Sequence, residues 1–260
     1  MEKGLVLSKV AAKFDKKRMA LVNEEFSFSE YLDLVSEQPR LARNAYQIVY
    51  DMIMSKGTSK VEKFRRTYVH YNFFDDSDIP IFGLDEPLHQ LVQFIRGAAG
   101  GYGPERRFLL LHGPVGSSKS TILRCLKSGL EKYSLGPEGA WYTFKWVNLP
   151  IGENGIFTHE QDESPMHEDP LKLIPMEFRK PFLAELSEKL LQQVPEKERN
   201  TMYRLNIDGD LDPRSKKFMT ELLARNGFDW EKVVQNHIRV IRKTFSEADR
   251  CGIATFQPKD

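Results

Sequence analysis

Residues 108 to 121 read Phe108-Leu109-Leu110-Leu111-His112-Gly113-Pro114-Val115-Gly116-Ser117-Ser118-Lys119-Ser120-Thr121. A turn of small residues followed by Lys-Ser-Thr suits the binding of a polyphosphate. Small residues let successive backbone N–H groups approach an anion at the positive end of a helix. Lys119 would then set its ammonium on the β- and γ-phosphates of a nucleoside triphosphate, and the Ser120 hydroxyl would be a ligand of the accompanying Mg2+. The expected phosphate-binding set is Gly113, Pro114, Val115, Gly116, Ser117, Ser118, Lys119, Ser120 and Thr121. Ser118 occupies the position before the lysine, where this motif usually has glycine. A positive φ there would press on its Cβ unless Gly116 takes the permissive position instead. The competing reading is a strand-to-helix turn that is merely rich in Gly and Ser.

Such a loop works only between a strand and a helix. Phe108 to Leu111 is a continuous apolar run, as expected of a strand buried on both faces. Ile122, Leu123, Leu126 and Leu130 then recur at helical spacing. The fold class that follows is α/β, a P-loop domain with a three-layer parallel sheet. Upstream, Ser27-Phe28-Ser29-Glu30 has capping-box spacing before Tyr31, Leu32, Leu34 and Val35. A second helical stripe runs through Leu41, Ala45, Ile48, Val49, Met52 and Ile53, with Gly57 placed to end it. These helices suggest an N-terminal helical attachment over 1–75, with the nucleotide-binding domain over 76–260. Residues up to about Asn23 are charged and weakly periodic.

Ile79-Pro80-Ile81-Phe82-Gly83-Leu84 precedes a helix with apolar positions Leu88, Leu91, Val92 and Ile95. By analogy with AAA+ ATPases, which hold adenine at such a turn, Phe82, Gly83 and Leu84 are expected to form the adenine pocket. Asp75-Asp76-Ser77-Asp78 reads as a solvated turn rather than a calcium loop, because no further ligands follow at the required spacing. Trp141 to Val147 is a β-prone run, and Asn148 to Pro165 a long loop of the kind that often forms a lid. Helices are expected at Pro181–Leu191 and Phe218–Leu223, and a half-buried strand at Ile238–Arg242. His167 and Glu168, in a proline-bounded turn, have no evident second ligand or base.

A hydrolytic P-loop normally works with an apolar strand ending in acidic residues. Ile207-Asp208 is the nearest candidate, and no catalytic residue that orients the nucleophile is assigned. No His-Arg-Asp or Asp-Phe-Gly triplet of a eukaryotic-type protein kinase occurs.

The composition is that of a soluble protein. In 260 residues, 38 Lys and Arg face 37 Asp and Glu, so the balance does not support a nucleic-acid partner. No apolar run is long enough for a membrane span, and Cys125 and Cys251 fit a reducing compartment, so a cytoplasmic location is expected. Cys125 falls on the apolar side of the loop helix and is expected to be packed there.

Four stretches together resemble the bacterial PrkA family: Gly113 to Ser120; Ser164-Pro165-Met166-His167-Glu168-Asp169-Pro170 with Leu171 to Pro175; Gly209-Asp210-Leu211-Asp212-Pro213; and Ser246 to Asp260. Ser118 and Ser164 depart from the glycine and cysteine that the family often has. Proteins of this family are described as serine protein kinases with an N-terminal AAA+ ATPase domain. The resemblance implies an AAA+-like fold incomplete at its C-terminus, with the acidic strand beyond residue 260. It also implies ATP and Mg2+ as cofactors, a protein substrate, and phosphoryl transfer to serine in the complete protein. Two rival readings remain. One is a homo-oligomeric ring ATPase that remodels or degrades proteins; the other is a nucleotide sensor without turnover.

Overall fold

The computed structural model describes residues 24–63, 65–76, 80–152, 156–199 and 202–256. Readings that fall on residues 1–23, on Ser77, Asp78 and Ile79, on 153–155 of the long loop, and on 257–260 lie outside the described residues.

Local sequence sets the first elements. Strand β1 (Glu25–Ser27) leads directly into α1 (Phe28–Glu37). Ser27 accepts from the Glu30 amide at 3.2 Å while the Glu30 carboxylate accepts from the Ser27 amide at 2.7 Å, so the expected capping box is present. Helix α2 (Ala45–Met54) starts in the same way, with Asn44 and Gln47 exchanging bonds, and Leu41 falls in a separate 3-10 turn before it. Next comes a hairpin, β2 (Thr58–Lys63) and β3 (Arg66–Tyr71), paired antiparallel with Ser59 opposite His70. Helix α3 (Asp85–Ala99) and α4 (Lys119–Ser134) follow.

The remaining strands are β4 (Trp141–Trp146), the two-residue β5 (Asp162–Glu163) and β6 (Ile238–Lys243). Helices α5 (Met176–Gln193), α6 (Glu196–Arg199), α7 (Pro213–Arg225) and α8 (Trp230–His237) lie between β5 and β6. The larger sheet has the order β1-β6-β4-β5. Every pairing in it is antiparallel, with Val240 flanked by Phe26 and Phe144. Ile238, Val240 and Arg242 alternate onto the buried side of β6, as period-two patterning requires.

The expectation of a parallel sheet is therefore corrected for the described residues. Its physical basis fails at 108–111, where no regular strand forms and no neighbouring strand pairs with the run. Phe108 and Leu110 are 103% and 82% exposed, so the continuous apolar run is not buried on two faces.

Two large apolar clusters hold these elements. One joins α1 to the sheet and to α5, α7 and α8 through residues such as Tyr31, Phe144, Trp146, Leu186 and Leu222. The other packs Met52 and Ile53 of α2, Phe73 and Phe74, the apolar side of α3, and Ile122 and Cys125 of α4. No helix among the described residues is long and apolar enough to cross a membrane.

Candidate functional site

The loop between Gly113 and Ser118 rests on how α4 is held. At its C-terminal end, Arg242 of β6 donates to the carbonyls of Gly136 at 2.9 Å and Ser134 at 3.4 Å, satisfying acceptors that a helix end leaves open. The Ser134 hydroxyl accepts from the Phe245 amide at 3.0 Å. Along its side, Lys127 pairs with Glu247 and donates to Thr255 at 3.1 Å, while Glu131 accepts from the Glu247 amide at 2.8 Å. Residues 246–255, part of the Ser246 to Asp260 stretch, thus brace the loop helix. In the middle, Gly129 lies against Phe73 and Met52, where a Cβ would come within 2.6 Å of the Phe73 ring.

At the N-terminal end, Gly116 has φ 82° and Ser118 has φ 59° with ψ 14°. Both positions are left-handed, so Gly116 does not spare Ser118. Ser118 is the N-cap of α4 and its side chain caps nothing, which leaves the first-turn amides of α4 without a side-chain acceptor. The Lys119 ammonium folds back over the loop, 2.7 Å from the Gly113 carbonyl, 2.6 Å from that of Pro114 and 3.0 Å from the Ser117 hydroxyl. All three partners are neutral, and among the described residues no carboxylate pairs with Lys119. A Cβ at Gly113 would lie 2.9 Å from the Ser117 oxygen and 4.0 Å from the Lys119 nitrogen. These residues fit a polyphosphate: a positive helix end and an ammonium held by neutral acceptors come together at the loop. Ser120 is exposed in the first turn of α4, and Val115 projects fully into solvent. No group of three His, Cys, Asp or Glu side chains capable of holding a metal ion is present among the described residues.

Phe82, Gly83 and Leu84 lie immediately before α3. Phe82 is 73% exposed, Gly83 has φ 76°, and Leu84 packs on the second cluster together with Leu111. That shared cluster, with Ile122 of α4, joins the turn to the base of the loop. Asp85, the first residue of α3, is buried. Its carboxylate lies 2.7 Å from His70 Nδ1, and His70 Nε2 lies 2.7 Å from Asp75 Oδ2. Asp75 belongs to the acidic cluster read as a solvated turn. Its partner 5 positions upstream lies on a strand that the sequence did not mark.

His167 and Glu168 stand elsewhere. Glu168 is buried, pairs with Lys172 at 2.9 Å and accepts from the Asp212 amide at 3.0 Å. It thereby ties the 164–175 stretch to the 209–213 turn, whose Asp212 caps α7. His167 has φ 47° and lies 3.0 Å from Glu163. With Trp141, Asp169, Asp208 and Ile253 it lines a cleft of about 810 Å³ that includes no residue of 113–121 or 82–84. Burial pushes the Asp169 carboxyl up to about 7, although the residue keeps some surface in this cleft. Asp208, the sequence candidate for an acidic strand end, is exposed, in no regular strand, and hydrogen-bonded to Asn206 at 2.7 Å.

A family model described as the PrkA AAA domain matches residues 26–260. The ATP-dependent protease PrkA of Bacillus subtilis is 33% identical over 237 residues, 91% of this chain and 30% of that protein. The serine/threonine kinase YeaG of Escherichia coli K12 is 25% identical over 118 residues, 42% of this chain and 18% of that protein. An uncharacterized protein in the gldA 5' region of Geobacillus stearothermophilus is 39% identical over 69 residues, 26% of this chain and 64% of that protein. The chain thus spans less than a third of the Bacillus and Escherichia proteins. No solved structure matches it.

Proposed function

The chain belongs to the PrkA AAA domain family, and we propose that it binds Mg-ATP through residues 113–121 and serves phosphoryl transfer to protein serine in the protein of which it is part. The observation that carries the nucleotide reading is Lys119, a cation held by neutral acceptors over the N-terminus of α4. In this reading its ammonium exchanges two carbonyls and a hydroxyl for phosphate oxygens. Gly113 and Gly116 keep the backbone open, Ser120 contributes a metal ligand, and Phe82 to Leu84 receive the base. Bound Mg-ATP supplies the activated γ-phosphoryl group. The chain's own residues bind and orient it, and the partner that accepts the phosphoryl group is a protein.

The name of the Escherichia relative supports the kinase reading. The name of the Bacillus relative, which aligns over far more of the chain, favours a second: an assembling ATPase that drives proteolysis of a protein substrate. Labelled γ-phosphate separates them. Label fixed on protein serine by the natural full-length protein, and lost in Lys119→Ala, supports the kinase reading. Free phosphate released faster with a protein substrate, and no labelled protein, supports the second. If Lys119→Ala retains the stabilisation that saturating ATP gives the unaltered chain, about 2.7 kcal/mol at a hundred times the dissociation constant, the phosphate-loop assignment fails.

A further inference from the structure

His70 closes a loop. It sits near the end of β3 and touches Asp75, just beyond the 3-10 turn Asn72–Phe74, and Asp85, the first residue of α3. The Ile81 amide donates to the Phe74 carbonyl at 3.1 Å across the same neck. The span between the two aspartates carries Phe82, Gly83 and Leu84, so this contact fixes both ends of the turn assigned above to the base.

The chemistry of the clasp is restrictive. Each ring nitrogen lies 2.7 Å from a carboxylate oxygen, and an ionised carboxylate can only accept. Both nitrogens must therefore donate, which only the imidazolium can do. A neutral ring has one N–H and would turn a lone pair toward the second carboxylate. Among the described residues, two of the neighbouring titratable groups are engaged elsewhere. Asp76 pairs with Lys56, and His89 Nδ1 lies 3.0 Å from the Tyr71 hydroxyl. Opposite His70 on β2 stands uncharged Ser59, flanked by Lys60, and Glu86 beside Asp85 is exposed.

We propose that His70 is a charge-dependent positioning residue for the base-binding turn, so that protonation of its ring governs nucleotide affinity through the base and not through the phosphates. This rests on the reading of 82–84 as the adenine site. The direction follows from the bonds. Hydrogen bonding to Asp85, and then to Asp75, raises the His70 pKa above its ordinary value. The clasp is complete below that raised value and opens as pH climbs through it.

The test compares the affinity of this chain for ATP with its affinity for ribose 5-triphosphate, both with Mg2+, at about pH 6 and about pH 9. Ribose 5-triphosphate lacks the base but carries the same esterified triphosphate, so its ratio to ATP cancels the titration of the phosphates. The advantage of ATP over ribose 5-triphosphate should fall by about tenfold at the higher pH, the scale of one lost hydrogen bond to a charged group. In Asp75→Asn the advantage should be retained at both pH values, because an amide can accept from, or donate to, the ring. In His70→Gln it should be low at both. A ratio unchanged by pH in the unaltered chain, or a pH dependence that survives in Asp75→Asn, overturns the proposal. Ribose 5-triphosphate binding with no advantage for ATP at either pH removes the adenine turn on which the proposal depends. Failure of both ligands to bind removes the phosphate loop itself.

Discussion

The hydroxyl of Tyr203 donates to the carboxylate of Asp51 at 2.6 Å, across 152 positions of sequence. The same oxygen of Asp51 accepts from Arg43 at 2.6 Å, and all three residues are buried. This knot fastens α2 to the extended segment after α6. Asp51→Asn leaves a buried guanidinium without its counter-charge and should cost about 3–5 kcal/mol in urea unfolding. Adding Arg43→Met should recover much of that loss, which simple loss of packing would not allow.

Ser118 bears the backbone strain of the loop, at φ 59°. Ser118→Gly should raise stability by roughly 0.5 kcal/mol, once the greater freedom of glycine in the unfolded chain is set against the relief. Ser118→Val, β-branched in the left-handed region, should lower it. The midpoints of denaturant curves at constant slope check both.

Gly129 permits α4 to lie on Phe73 and Met52. Gly129→Ala adds helix propensity yet drives a methyl to 2.6 Å from the Phe73 ring and 3.1 Å from the Met52 sulfur. The expected net loss is about 1–3 kcal/mol. Phe73→Leu in the Gly129→Ala background should lose less than the sum of the two single changes, as a double-mutant cycle would show.

Asp169 gives stability a pH dependence opposite to that of a salt-bridged carboxylate. Burial raises its pKa from 3.8 to about 7, so the native state binds a proton that the unfolded chain has released. Its contribution is intact below about pH 4 and declines as pH climbs to about 7. Asp169→Asn keeps an oxygen to accept from the Leu171 amide and should remove roughly 2 kcal/mol of that decline. Thermal unfolding at several pH values measures the slope.

The legible parts of this chain are those in which neighbours in sequence decide the structure. The Ser27–Glu30 box, the stripe of α3 and the alternation of Ile238, Val240 and Arg242 are local patterns, and each forms the element it encodes. The hairpin β2/β3 carries no sequence signal, because Thr58 to Lys63 is mostly polar and shows no buried face. Helix α8 has a short signal, Asp229 as cap with Val233 and Val234 buried. Glu168 drew attention for its chemistry, but its oxygens are occupied by Lys172 and the Asp212 amide. The clasp on His70 could not be read from spacing. Its carboxylates stand 5 and 15 positions away and meet only because β3 and α3 share a core. The run 108–111 misled for the converse reason, since apolarity encodes a preference for burial and does not supply the neighbour that buries it.

The pairing of β1 with β6 sets a schedule for biosynthesis. Phe26 leaves the ribosome long before Val240, its partner in the ladder, has been translated. At the usual rate of elongation the delay is roughly 10–40 s. During that time β1 has no strand to join, and for nearly all of it Phe28 of α1 has no Trp230 ring to pack against. Only the arrival of β6, which stands between β1 and β4, closes the sheet.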